Sequence, residues 1–105
     1  HVELSTDHNI DGKERLAAHV RKVLEHDLSH FRDRITRVEV HLSDERSTKA
    51  GGRGEKRCMM EARIEKLKPI AVNDHAETVD QAVHGAAQKL KSALETILGR
   101  LGDTH

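Results

Sequence analysis

The residues best suited to chemistry in this chain of 105 are its nine histidines. A neutral imidazole binds a divalent metal, and two imidazoles one helical turn apart can share an ion. His26 and His30 stand four residues apart in a segment of helical period, and His19 lies a heptad before His26 on the same side. A complete site needs a third and a fourth ligand. Asp27 falls on another face, and no Glu sits inside the spacing as it does in His-Glu-x-x-His. The histidines therefore read as surface side chains holding no metal, and a His-mediated metal-binding domain is the more remote reading.

Nucleophilic chemistry has less support. Cys58 has no activating base near it in sequence and lies on the apolar side of an alternating run, so it reads as a small buried side chain. A single cysteine excludes an internal disulfide and a four-cysteine zinc site. Gly51, Gly52 and Gly54 flank Arg53 without the spacing of a phosphate-cradling loop, and they join two strands rather than a strand and a helix. Nothing here points to an enzyme or a cofactor.

Charge is informative by place rather than by sum. Lys+Arg and Asp+Glu number 18 each, so the formal net charge is zero and selects no partner class. Residues 46–68, however, hold eight Lys/Arg (Arg46, Lys49, Arg53, Lys56, Arg57, Arg63, Lys66, Lys68) against three Glu. Such a local excess suits an anionic surface; the plainer reading is a solvated loop and strand edge. Phe31 is the only aromatic, which argues against a base-stacking platform but not against phosphate contact. No apolar run approaches a membrane span, and no signal-peptide pattern opens the chain. The expected setting is reducing and cytoplasmic, with no membrane partner.

The elements that must position these residues follow from period. Val2 and Leu4 alternate with Glu3 and Ser5 as a short half-buried strand. Asp11 with Glu14 makes a capping-box-like helix start, and Leu16, Val20, Val23, Leu24, Leu28 and Phe31 mark one apolar stripe over 12–30. Residues 35–43 switch to period two, with Val38, Val40 and Leu42 on one side and Arg37, Glu39 and His41 on the other. A loop over 44–55 leads to a strand over 57–65 whose inner row is Cys58, Met60, Ala62 and Ile64. Pro69 ends it, because proline cannot donate to the ladder. A short strand over 70–72 precedes a helix over 76–101, roughly 39 Å long, with an apolar stripe through Val79, Val83, Ala86, Leu90 and Ile97.

The order βαβββα predicts a two-layer α+β fold, a four-stranded mixed sheet with both helices on one face. Modules that bind double-stranded RNA share that architecture. Val79, Val83, Ala86, Leu90 and Ile97 should be buried against Cys58, Met60, Ala62 and Ile64.

Several segments carry more than period. They are Val38 through Leu42, then Glu61, Ala62, Arg63 and Ile64, then the acidic turn Asp74, His75, Ala76 and Glu77. Val79, Asp80, Gln81 and Ala82 follow, running into Gln88, Lys89 and Leu90. In this order they resemble the ribosome hibernation-promoting factor family, also called ribosome-associated inhibitor or sigma-54 modulation proteins. The resemblance spans residues 2–101 and identifies 1–105 as one hibernation-factor-like domain. It implies a divergent member of the short form, without the C-terminal dimerisation domain of long members. It further implies binding to the small ribosomal subunit, on 16S-type rRNA near the decoding region, and inhibition of translation under stress. No catalysis, cofactor or DNA partner is implied. The chain departs from the family where the second helix usually ends in a run of Lys and Arg; here Arg100 alone is basic. The alternative is a protein-interaction or general RNA-binding module of the same fold with a non-ribosomal partner.

Because the inner rows of the sheet belong to the core, rRNA contacts are expected from the helices and the strand-loop edge. The candidates are Arg21, Lys22, Lys89 and Lys91 on the helices, and Arg53, Lys56, Arg57, Lys66 and Lys68 at the edge. Changing Lys89 and Lys91 together to Glu is expected to weaken ribosome binding strongly while leaving the fold intact.

Overall fold

Alternating apolar residues build four strands, β1 (Val2–Thr6), β2 (Ile35–Asp44), β3 (Lys56–Ile64) and β4 (Ile70–Ala76). Helical period builds α1 (Lys13–Asp27) and α2 (Val79–Gly102), with a single 3-10 turn (Ser29–Phe31) after α1. The structure, a computed structural model, describes residues 2–6, 12–44 and 56–102, the side chains of 100–102 excepted. The sheet order is β1-β2-β3-β4, with β1 parallel to β2 and the other pairs antiparallel. This is the expected βαβββα, α+β architecture. One buried cluster joins Val20, Val23 and Leu24 of α1, the inward rows of β2 and β3, and α2 from Ala82 to Leu98.

Register explains why the rows hold. Leu4, Val40, Met60 and Val72 stand opposite one another across all four strands. A slip of one residue would turn this apolar row outward and a charged row into the core. Cys58, Met60, Ala62 and Ile64 form the inner row of β3 as expected, at 0 to 4% exposure.

Four boundaries differ from the sequence reading. Helix α1 begins at Lys13, with Gly12 at φ 72° as its N-cap; Asp11 of the expected capping box lies outside the described residues. Glycine adopts that left-handed conformation without a Cβ penalty. At its other end α1 stops at Asp27 rather than 30, because the chain tightens so that the Phe31 amide donates to the Leu28 carbonyl at 2.9 Å. His26 and His30 therefore do not share a helix. Third, α2 begins at Val79, where Thr78 caps it by accepting from the Gln81 amide at 3.1 Å.

The fourth difference is instructive. Strand β4 runs on from 72 to Ala76, and its inward row is Ile70, Val72, Asp74 and Ala76. Asp74 breaks the apolar alternation. The fold accommodates it because Gly85 of α2 lies directly over it; a Cβ at Gly85 would collide with the Asp74 carboxylate, coming within 2.7 Å of its Cγ. Lys89, one turn further along α2, meets Asp74 Oδ1 at 3.0 Å and donates to the Asn73 carbonyl at 3.0 Å.

On α2, Val83, Ala86 and Leu90 are fully buried as expected, while Val79 is only partly covered and Ile97 is 36% exposed. Leu94, also of the expected stripe, and Leu98, which was not, are buried. The buried row follows steps of four, Ala86, Leu90, Leu94 and Leu98, which rotate about 40° per step around the helix. A helix crossing a twisted sheet drifts in this way, and the seven-residue step to Ile97 leaves the row.

Alanine in place of a helical glycine ordinarily stabilises by about 1 kcal/mol. At Gly85 the opposite is expected. Gly85→Ala should lower the denaturation midpoint by displacing Asp74 from Lys89, and in an Asp74→Ala background the same change should raise it. Stabilisation by Gly85→Ala with Asp74 in place would contradict this packing.

Candidate nucleic-acid interface

The outward face of the sheet carries most of the sheet's charge. Glu3, Glu39 and Glu61 stand opposite one another on β1, β2 and β3, and Arg37 stands opposite Arg63 one row away. Like charges facing across a ladder repel, so each arginine must reach diagonally. Arg37 contacts Glu3 and, at 3.5 Å, Glu39; Arg63 contacts Glu39 at 3.5 Å and Glu61 at 3.8 Å. His41 approaches Glu39 at 3.9 Å. With Arg57 the face holds three arginines against three glutamates. Exposed pairs of this kind add little stability. Their consequence is electrical: the open face is neutral and offers polyanions no net attraction.

The structure divides the nine candidate contact residues. Arg53 lies outside the described residues. Lys56 is held 2.6 Å from Asp44, whose side chain is 3% exposed. A carboxylate so buried holds its cation, and the Lys56 side chain is 20% exposed. Arg57 is half-buried on the neutral face. Lys89 is engaged by Asp74 and the Asn73 carbonyl. Arg21, Lys22, Lys66 and Lys68 are exposed and Lys91 is partly so. Among the described residues, no hydrogen bond or ion pair engages these five.

Nor is the strand-loop edge a single patch. Lys56 opens β3, whereas Lys66 and Lys68 follow its end. Eight strand residues at about 3.3 Å each set them about 26 Å apart. At the Lys66 end, two turns meet: the Glu65 amide donates to the Arg34 carbonyl at 3.2 Å. That bond joins the turn carrying the exposed Arg32, Asp33 and Arg34 to the turn carrying the exposed Glu65, Lys66 and Lys68, four cations against two anions. Arg32 also lines, with Arg21, a cleft of about 490 Å³ between α1 and the starts of β1 and β2. Sequence reasoning missed Arg32 and Arg34. The signal was available, since antiparallel pairing of β2 with β3 forces the start of one beside the end of the other.

Cys58 is no candidate nucleophile. It is fully buried, and burial first, then the Asp74 charge opposite it on β4, pushes its thiol from 9.0 up to about 12. The thiolate is the nucleophilic form, so the side chain is inert at neutral pH. No helix among the described residues is long and apolar enough to cross a membrane.

Residues 5–101 match the family described as sigma 54 modulation protein / S30EA ribosomal protein. The chain belongs to this family. It is thereby a member of a ribosome-associated family, as the resemblance implied. Two solved structures share the fold of this family member. The Thermus thermophilus Protein Y N-terminal domain superposes with a TM-score of 0.71 at 16% identity, over 90% of this chain and 94% of that one. A ribosomal subunit interface protein from Coxiella burnetii superposes at 0.69 with 14% identity, over 94% and 98%. A comparison with curated proteins finds no match.

The Cys58 environment has a pH signature. A thiol whose folded pKa is raised favours folding below its ordinary value and loses that contribution as pH climbs from 9.0 toward about 12. Stability of the chain relative to Cys58→Ala should fall through that window by up to about 1.4 kcal/mol per pH unit. Parallel stability–pH curves for the two proteins would contradict the assignment.

Proposed function

We propose that this family member binds the small ribosomal subunit through 16S-type rRNA near the decoding region. It thereby holds translation off under stress, and it catalyses nothing. The observation that carries the reading is the family match over residues 5–101. The sorting of charge supports it. Among the described residues, the open face is internally neutral, two candidate lysines are engaged by Asp44 and Asp74, and Arg32, Arg34, Lys66 and Lys68 stand exposed without an ion-pair partner on two turns that meet.

The contact set is accordingly Arg21, Lys22, Arg32, Arg34, Lys66 and Lys68, with Lys91 on α2. Folded RNA offers phosphates and shape, and such contacts position a protein without reading bases. Inhibition then follows from occupancy: a rigid domain seated where messenger and transfer RNA bind excludes both. The name of the Coxiella neighbour, a ribosomal subunit interface protein, is consistent with that location.

Co-sedimentation with purified small subunits over a salt series tests the proposal. Lys66→Glu with Lys68→Glu, and separately Arg21→Glu with Lys22→Glu, should each weaken binding. Each pair should also flatten the dependence of log affinity on log salt, by roughly 0.7 to 0.9 for every phosphate no longer neutralised. Lys13→Glu, exposed at the start of α1, should change neither. Unaltered binding after both double reversals would overturn the contact set. Equal affinity for any RNA, or capture by salt-insensitive protein contact, would favour the general RNA-binding or protein-interaction alternative.

A further inference from the structure

Three side chains from two helices converge beside the first turns of α2. Asp80 and His84 are one helical turn apart, which fixes them on the same face of α2. His19 arrives from α1, 61 residues away in sequence, and its Nε2 lies 2.5 Å from Asp80 Oδ1. His84 Nε2 lies 3.5 Å from the same oxygen. The two rings are 5.8 Å apart between centroids and inclined at 67°. One ligand atom from each of the three side chains falls within 4.8 Å of the other two.

We propose that His19, Asp80 and His84 form a binding site for one divalent transition metal of the Zn²⁺ type, which clips α1 to α2. In a tetrahedral zinc site each ligand lies about 2.0 to 2.2 Å from the ion, so ligand atoms stand about 3.3 Å apart. The two separations from Asp80 Oδ1, 2.5 and 3.5 Å, bracket that value, the two histidine ligand atoms lie within 4.8 Å of one another, and side-chain rotations close the difference. Two imidazoles and one carboxylate are borderline donors that suit Zn²⁺ and its transition-metal neighbours. With a single oxygen ligand, the site is poor for Ca²⁺ or Mg²⁺. Side-chain exposures of 40% for His19, 62% for Asp80 and 53% for His84 leave an entry path. Three protein ligands also leave a fourth position for water or another oxygen.

The clip is a matter of linkage. The unfolded chain has no such site, so an ion bound there favours the folded helix pair. The Gln88 amide, donating to Asp27 at 3.2 Å, is a further polar link between the helices. The His26 and His30 pair offers no competing helical site, because α1 ends at Asp27.

Calorimetric titration of the metal-free chain with Zn²⁺, paired with thermal melts, tests the site. The chain should bind one equivalent and melt at a higher temperature with excess Zn²⁺. His19→Ala and His84→Ala should each weaken binding at least tenfold and abolish the rise. A His26→Ala/His30→Ala variant should keep both. Circular dichroism of the metal-free variants separates loss of fold from loss of a ligand. Where a variant proves unfolded, the visible absorption of four-coordinate Co²⁺ bound to the native chain is the second reading, and its absence overturns the site. Equal binding by the His19 and His84 variants would place the ion on other histidines and overturn the proposal. Binding without any rise in melting temperature would overturn the clip.

Discussion

Helix α2 lies close enough to the sheet that Ala82, Ala86 and Ala87 on the helix and Cys58, Met60 and Ala62 on β3 are all fully buried. With Phe31 as the only aromatic, the core cannot be filled by large rings. Density must come from small side chains brought near one another, as close-packed interiors require. Gly85 carries the same requirement further, by leaving room for Asp74 on an otherwise apolar row. Apart from Asp74 and the Asp44–Lys56 pair at the end of the inner rows, the charges of the sheet lie on its outward face.

That separation decides where an anion can bind. Eighteen cations and eighteen anions cancel over the chain, yet the fold does not mix them evenly. Arg37 and Arg63 are neutralised by Glu3, Glu39 and Glu61, diagonally across and along the strands, and Lys56 is held by a buried Asp44. Among the described residues, Arg32, Arg34, Lys66 and Lys68 remain unpaired where two turns meet. At physiological salt the screening length is about 8 Å. A phosphate at that end therefore senses the local excess and not the distant balance.

The element order and the inner rows were legible in the sequence because alternation is unbroken from Val38 to Leu42 and holds from Cys58 to Ile64 but for the outward Met59. The end of β4 was not. Asp74 occupies an inward position, and only Gly85 on the facing helix explains why it can. Ile97 was misplaced because a seven-residue step and a four-residue step are equally helical, and the twist of the sheet chooses between them. Lys56, Lys66 and Lys89 look alike in a sequence, and partners supplied by distant strands and turns distinguish them. The same holds for His19, whose neighbours Asp80 and His84 belong to the other helix.

Lysine acetylation of the chain, free and bound to small ribosomal subunits and read residue by residue by mass spectrometry, tests the account most directly. Lys22, Lys66 and Lys68 should be protected on binding, while Lys13 keeps its free reactivity and Lys56 reacts slowly in both states. Protection centred on Lys13, with Lys66 and Lys68 as reactive as in the free chain, would contradict the assignment of the binding surface to the end where the two turns meet.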